Sequence, residues 1–310
     1  MAPDPLLQRA DRRWRELETE QPQLGPAIAL QRTLIGRSIG ALRQLERGPE
    51  AQVSFPHPYL RAKLARGVPA LRGETIPPAV DLLGPLLGEF ADLLASGGGG
   101  DPPAHIREAL DAGSIEPSSW LAAVLARDRT RVLRGALQMG LAPDLLWLIG
   151  ELAAAPLAHL LARTALSTVD DTGTPLGDDV SIWSRGGCPA CGSWPALVEA
   201  DGTATRRLRC SFCGSAWQLA ERRCLYCGGA WLDQRTPDPG HPDRSLDLCT
   251  TCRGYVKVVV VPAPLVFPLA SLEDLATTAL DVAAMDLGYV RPPLPDEDRD
   301  ADAANGDRGE

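Results

Sequence analysis

The sequence predicts an α+β protein: an N-terminal all-α helical bundle, two tandem cysteine-bearing ribbon modules, and a C-terminal helix. Three observations predict it. Leucine- and alanine-rich patterns at helical spacing run through about residue 165. All eight cysteines fall between residues 188 and 252, as four Cys-x-x-Cys pairs. Between the two regions lies a polar stretch, Asp170 to Asp179, rich in Asp, Gly and Thr.

The helical half reads in order. Leu6, Ala10, Trp14 and Leu17 share one face, and Leu24, Ile28, Ile35, Ile39 and Leu42 repeat the pattern. Pro56, Pro58 and Pro69 break the chain around Phe55, Tyr59 and Leu64. A further helix carries Leu83, Leu86, Leu87, Phe90 and Leu94 and stops at the four glycines 97–100, which lack the Lys-Ser/Thr ending of a phosphate loop. Ile106 and Leu110 mark the next helix. Pro117 occupies a first helical position ahead of Trp120 and Val124. The last helix opens at Pro143 and runs toward Leu161 through Leu146, Ile149 and Leu152. Its window 141–161 is apolar but contains Pro143, Asp144, Glu151, Pro156 and His159, which argues for a buried helix over a membrane span.

The expected divisions are a helical domain over 1–169, a linker over 170–182, ribbons over 183–220 and 221–262, a C-terminal helix over 263–290, and a disordered acidic tail over 291–310. Strand-like segments run from Trp194 to Val198, Thr205 to Leu208, Ala216 to Leu219 and Tyr255 to Val261. Ser271 with Asp274 reads as a capping box for the late helix, and Gly288 as its stop.

The pairs are Cys188/Cys191, Cys210/Cys213, Cys224/Cys227 and Cys249/Cys252, with 18, 10 and 21 residues between successive pairs. A tetrahedral divalent site takes four thiolates, and two intervening residues let both sulfurs of a tight turn face one ion. The longer gaps leave room for a hairpin that returns the second pair to the first. One site therefore takes Cys188, Cys191, Cys210 and Cys213, and the other Cys224, Cys227, Cys249 and Cys252. Gly192, Gly214 and Gly228 follow the second cysteine of three pairs, where a knuckle turn needs positive φ. Arg253 stands at that place in the fourth. Tetrathiolate ligation suits iron, in a rubredoxin-like site, or zinc, in a zinc ribbon; ligand type alone does not choose. A closed four-cysteine site has no open position for substrate or water, which excludes hydrolytic metal catalysis there.

A net charge of −9 and a pI near 5.1 argue against nucleic acid as the main partner. Arg206, Arg207, Arg209, Arg222 and Arg223 cluster around the second and third pairs. A metal tetrathiolate carries about −2, and the expectation is that these arginines neutralise it. His159 reads as a core histidine, and His241 as part of a solvated loop. The first twenty residues show no secretory signal, so the cytoplasm is expected. No serine–histidine–carboxylate arrangement or paired-carboxylate signature is present in the sequence.

The run Cys188-Pro189-Ala190-Cys191-Gly192-Ser193-Trp194-Pro195 resembles the metal-binding half of FdhE-type formate dehydrogenase accessory proteins. Leu208-Arg209-Cys210-Ser211-Phe212-Cys213 with Trp217, then Cys224-Leu225-Tyr226-Cys227, continue the likeness. So do Cys249-Thr250-Thr251-Cys252 with Tyr255-Val256-Lys257, and the helix ending near Gly288-Tyr289. The resemblance covers about residues 183 to 290; the N-terminal half shares only its helical character. It implies a cytoplasmic, non-enzymatic accessory or chaperone protein that binds the formate dehydrogenase catalytic subunit. It also implies ligand roles for all eight cysteines, associated in that family with iron. Two rival readings are a zinc-ribbon nucleic-acid adaptor and a cysteine-based redox or sulfur-transfer protein.

Overall fold

The computed structural model describes residues 4–170, 173–179, 181–201, 205–220, 223–229, 234–238 and 240–294, with backbone alone for 234–238. Among the described residues, eight α-helices precede the cysteines: α1 (Pro5–Glu20), α2 (Gly25–Leu45), α3 (His57–Ala65), α4 (Val80–Leu94), α5 (Asp101–Asp111), α6 (Pro117–Leu125), α7 (Arg129–Gln138) and α8 (Pro143–Leu166). Their starts follow elementary capping chemistry. Asp4 accepts the Leu6 N–H at 2.8 Å with Pro5 behind it, and Glu116 accepts the Ser118 and Ser119 N–H groups ahead of α6.

Helix α8 is the axis of the bundle, packed by α2, α4, α6 and α7. It is long and apolar enough to cross a membrane, yet 67% of its most apolar window is buried against these neighbours. Gly150 permits the closest approach. A Cβ there would lie 2.7 Å from both the Trp120 indole nitrogen and a Val124 methyl of α6.

After α8 the chain forms β1 (Pro195–Ala200), β2 (Arg206–Cys210), β3 (Ala216–Trp217), β4 (Gln234–Asp238), β5 (His241–Leu248) and β6 (Tyr255–Val260), then α9 (Ala270–Ala276) and α10 (Thr278–Asp286). The two expected ribbons are present, but they are not beads on a string. They fuse into one six-stranded sheet in the order β3-β2-β1-β6-β5-β4. Within each ribbon neighbours run antiparallel; the ribbons join where β1 pairs parallel with β6, Val198 opposite Val258. Both central strands are nearly continuously buried, as strands covered on two faces are. Val198, Val256 and Val258 pack with the helical bundle, whereas Leu197 and Val259 pack with Leu265 and Ala270 on the other face.

The C-terminal half departs from the sequence-based expectation at several points. Strands β4 and β5 escaped the sequence reading because Pro237 and Pro242 interrupt the strand pattern. β4 is an edge strand, where proline is tolerated. The expected single C-terminal helix is two, divided at Thr277, whose hydroxyl donates to the Glu273 carbonyl at 2.6 Å. Ser271 does not cap: Leu269 holds the cap position, and the Ser271 hydroxyl donates to the Pro268 carbonyl. The helical pair packs against the start of the chain. Leu269, Leu272 and Ala276 share a core with Trp14, Leu17 and Ile35, and Arg13 holds Glu273 through two bonds of 2.6 and 3.0 Å.

In the linker region Leu176 is buried and a bridge joins Val169 to Pro175. The first tail residues are tied down. Arg291 pairs with Asp274 at 2.9 Å and Asp281 at 3.0 Å, and the Trp194 indole donates to the Pro293 carbonyl. The rest of the expected disordered tail, 295–310, lies outside the described residues.

Candidate metal centres

Each ribbon brings its two Cys-x-x-Cys turns together at one end of its hairpin. The turns share a backbone design. The N–H of the leading cysteine donates to the carbonyl five residues on: Cys188 to Ser193, Cys210 to Ser215, Cys224 to Gly229 and Cys249 to Gly254, at 2.8 to 3.0 Å. Such a turn needs positive φ after the second cysteine. Gly192, Gly214 and Gly228 supply it at φ 86°, 70° and 68°. Arg253 adopts the same region at φ 58°. Its guanidinium stacks 4.0 Å over the Tyr289 ring and donates to the Leu287 and Gly288 carbonyls at the end of α10. The fourth knuckle thus keeps its geometry, and its side chain fastens the C-terminal helix.

The sulfurs converge as the spacing predicts. Cys188 Sγ lies 3.6 Å from Cys213 Sγ, and Cys191 Sγ 3.5 Å from Cys210 Sγ. In the second group Cys224 and Cys252 are 3.6 Å apart, Cys227 and Cys249 3.8 Å. All four ligand atoms of each group lie within 4.8 Å of one another. A metal–sulfur bond of about 2.3 Å in a tetrahedron sets sulfur–sulfur edges of about 3.8 Å. The donor set and its spacing therefore fit a tetrahedral ion, so each group could hold one.

Electrostatics agree. Without a cation, four clustered thiols cannot all ionise. Burial, then the three neighbouring sulfurs, push Cys188 well up; burial likewise raises Cys210. Burial also opposes ionisation of Cys191, but hydrogen bonds from Cys188, Cys210 and Cys213 and the charge of Arg127 outweigh it and hold that thiol low. In the second group Cys249 is brought down to about 7, its hydrogen bonds from the Cys252 and Thr251 N–H groups and Cys224 overcoming burial, while burial lifts Cys252 to about 11. A divalent ion would displace the remaining protons and remove this competition.

The two centres differ in surroundings. The first is enclosed by the helical half. Buried Lys63 of α3 donates to the Ala70 and Arg72 carbonyls and to Glu74, shaping the loop 67–74. That loop lies on the first knuckle: the Ala70 N–H reaches the Pro189 carbonyl at 2.7 Å, and the Leu71 N–H the Ala190 carbonyl at 2.9 Å. Between α6 and α7, Arg127 is sandwiched by Trp147 at 4.7 Å and Phe212 at 4.2 Å, with a 2.5 Å bond to Glu151. Phe212 sits between two ligands, Cys210 and Cys213. From α8, His159 stacks 4.4 Å from Phe267 and places Nδ1 2.8 Å from the Cys213 carbonyl. Burial lowers its pKa to about 4, so Nδ1 of the neutral ring donates. His159 is structural, as expected, but it stands against the metal ligands. The Ser193 and Ser215 hydroxyls lie 3.3 and 3.2 Å from Cys191 Sγ and Cys213 Sγ, where they can donate to metal-bound thiolates.

Two of the five arginines around the second and third pairs have carboxylate partners. Arg206 pairs with Asp247 across strands, and buried Arg209 bonds Glu199 at 2.7 Å and the Gly214 carbonyl. Their charges go chiefly to carboxylates. Arg127, about sixty residues upstream of the first ligand and itself bonded to Glu151, adds its charge to what holds the Cys191 thiol low. Nothing local to the cysteines signals it, nor Lys63. Arg222 lies outside the described residues. His241 begins β5 and lines a cavity of about 440 Å³ with Arg9, Arg13 and Arg244.

No protein-family model and no curated protein matches this sequence. Among solved structures, the crystal structure of the FdhE protein from Pseudomonas aeruginosa aligns with a TM-score of 0.58 at 24% identity. The fold is that of an FdhE protein. The alignment covers 95% of this chain and 97% of that one. It therefore takes in the helical half, for which the sequence offered no motif to align, as well as the fused ribbons. At this identity the FdhE likeness speaks for architecture alone.

Proposed function

We propose that this chain is an FdhE-type accessory protein that binds a formate dehydrogenase catalytic subunit during its maturation in the cytoplasm. The observation that carries the reading is the pair of tetrahedral four-cysteine clusters within a fold shared end to end with FdhE. All eight cysteines act as ligands, one iron or zinc ion per cluster, and neither closed site leaves a position for a substrate. The chain is accordingly not an enzyme. The helical domain, 1–169, and the two ribbons, 183–220 and 221–262, act as one body, since the helical half packs directly on the first cluster. The nucleic-acid adaptor reading loses support because Arg206 and Arg209 are engaged by carboxylates.

Deleting the gene should abolish formate dehydrogenase activity without lowering the transcript, and a tagged chain should retain the catalytic subunit on a column. Unchanged activity would overturn the reading. Elemental analysis of protein purified without oxygen should return two ions per chain. An absorption spectrum then separates the metals, because iron thiolates are coloured and zinc thiolates are not.

A further inference from the structure

The two clusters have the same ligand type and the same turns but unequal exposure. In the first, Cys188 and Cys213 are 0% exposed, Cys210 2% and Cys191 3%. In the second, Cys224 and Cys249 are buried, but Cys252 is half-buried and Cys227 is exposed. The cause is tertiary. Loop 67–74, Arg127 and His159 all cover the first cluster. Among the described residues no helix before the cysteines supplies the second cluster with a comparable cover; its neighbours include the Gly186 turn against Leu225, Tyr226, which donates to the Tyr255 carbonyl and meets Trp194 edge-on, and the Arg253–Tyr289 stack. The coordination surroundings differ too. Two residues after the second cysteine of each knuckle, the first cluster has Ser193 and Ser215, each against a ligand sulfur, whereas the second has Gly229 and Gly254. A ligand sulfur that is open to solvent and has no hydroxyl against it can be reached and displaced by an incoming ligand without any movement of the protein.

We propose that the second cluster, Cys224, Cys227, Cys249 and Cys252, is an exchange site that trades its ion with chelating ligands in solution, while the first is a locked structural centre. This rests on the reading of both clusters as metal sites. Exchange begins at the exposed edge. With an ion bound, Cys227 Sγ would be the ligand that a nitrogen or sulfur chelator replaces first, one metal–ligand bond forming as one breaks and the freed thiolate remaining in solvent. Cys252 follows, then the two buried sulfurs. The first cluster cannot start this sequence until loop 67–74 or the Arg127 contact lets go, which requires local unfolding.

The test uses the full chain loaded with zinc and challenged with excess 4-(2-pyridylazo)resorcinol. Aliquots are pulsed with N-ethylmaleimide and mapped by mass spectrometry. The expected release is biphasic, one ion in each phase, with rates differing at least roughly tenfold because only the slow phase needs local opening. Cys227 and Cys252 should be labelled in the fast phase, and Cys188, Cys191, Cys210 and Cys213 only in the slow one. In the Cys227→Ser chain the fast phase should quicken or vanish while the slow phase keeps its rate and its full ion. Two ions leaving at one rate, or first-cluster cysteines labelled with or before Cys227, would overturn the exchange proposal and leave the accessory-protein reading standing. A chain that takes up no zinc or iron at all would overturn both.

Discussion

Gly186 offers a clean perturbation because the obstacle is backbone. It lies ahead of the first knuckle, in a turn held by the Trp183 indole donating to the Gly187 carbonyl at 2.8 Å. A Cβ added at Gly186 would overlap the Leu225 carbonyl oxygen, with that carbonyl carbon 2.5 Å and the Leu225 Cα 2.7 Å away. Carbon atoms pack at about 3.5 to 4.0 Å, so the two segments would have to part by about 1 Å. Overpacking typically costs about 1 to 3 kcal/mol, and a rigid obstacle puts Gly186→Ala near the top, about 3 kcal/mol. Leu225 lies between Cys224 and Cys227, so parting the segments also displaces a metal knuckle. Urea denaturation followed by tryptophan fluorescence, with zinc content per chain, reads both effects. Gly36→Ala and Gly135→Ala are the controls: both are helical with nothing within 4 Å of an added Cβ, and each should gain about 0.5 to 1 kcal/mol. A Gly186→Ala chain within about 0.5 kcal/mol of the parent, an ordinary surface effect, would refute the close approach of the two ribbons.

Two further outcomes follow from the packing. Arg127→Met removes two ring contacts of about 1 to 2 kcal/mol each and a charge-assisted bond to Glu151, while relieving two buried N–H groups that lack partners. The expected net loss is about 2 kcal/mol by denaturation, larger with metal than without. A metal-independent effect would refute the pairing of Arg127 with the first cluster's charge.

Asp274 carries a pH dependence. Burial works against its ionisation, but Arg291 and Lys257 outweigh burial and hold its carboxyl below the usual value. A depressed folded pKa contributes stability above the unfolded value near 3.9, and that contribution is lost as the pH falls through and below it. The Asp274 side chain is 37% exposed, so the contribution is solvent-screened to about 1 kcal/mol. The stability gap between the parent and Asp274→Asn should therefore be about 1 kcal/mol at pH 6 and close toward pH 3. A gap constant over that range would contradict the ion-pair network.

How much was legible follows from the range over which each feature is set. Trp14 and Leu17 announced a buried helix face because a helix repeats its environment every three to four residues. The fusion of the ribbons was not legible, since the β1–β6 pairing joins residues sixty positions apart through hydrogen bonds that every backbone can make. Pro237 and Pro242 hid two strands by weakening the local pattern. Ser271 misled because a cap motif states a local option, and the Pro268 carbonyl took its hydroxyl instead.

By itself the sequence determined which sulfurs can share an ion. A Cys-x-x-Cys turn closes through its own backbone, and a hairpin of the observed length returns one turn to the other, so ligand choice is a local matter. Only the tertiary structure decided which cluster meets solvent. Enclosure depends on Lys63 and His159 from helices, and Arg127 from the turn between two helices, all distant in the chain from the cysteines, and packing of that kind leaves no trace in the spacing of cysteines.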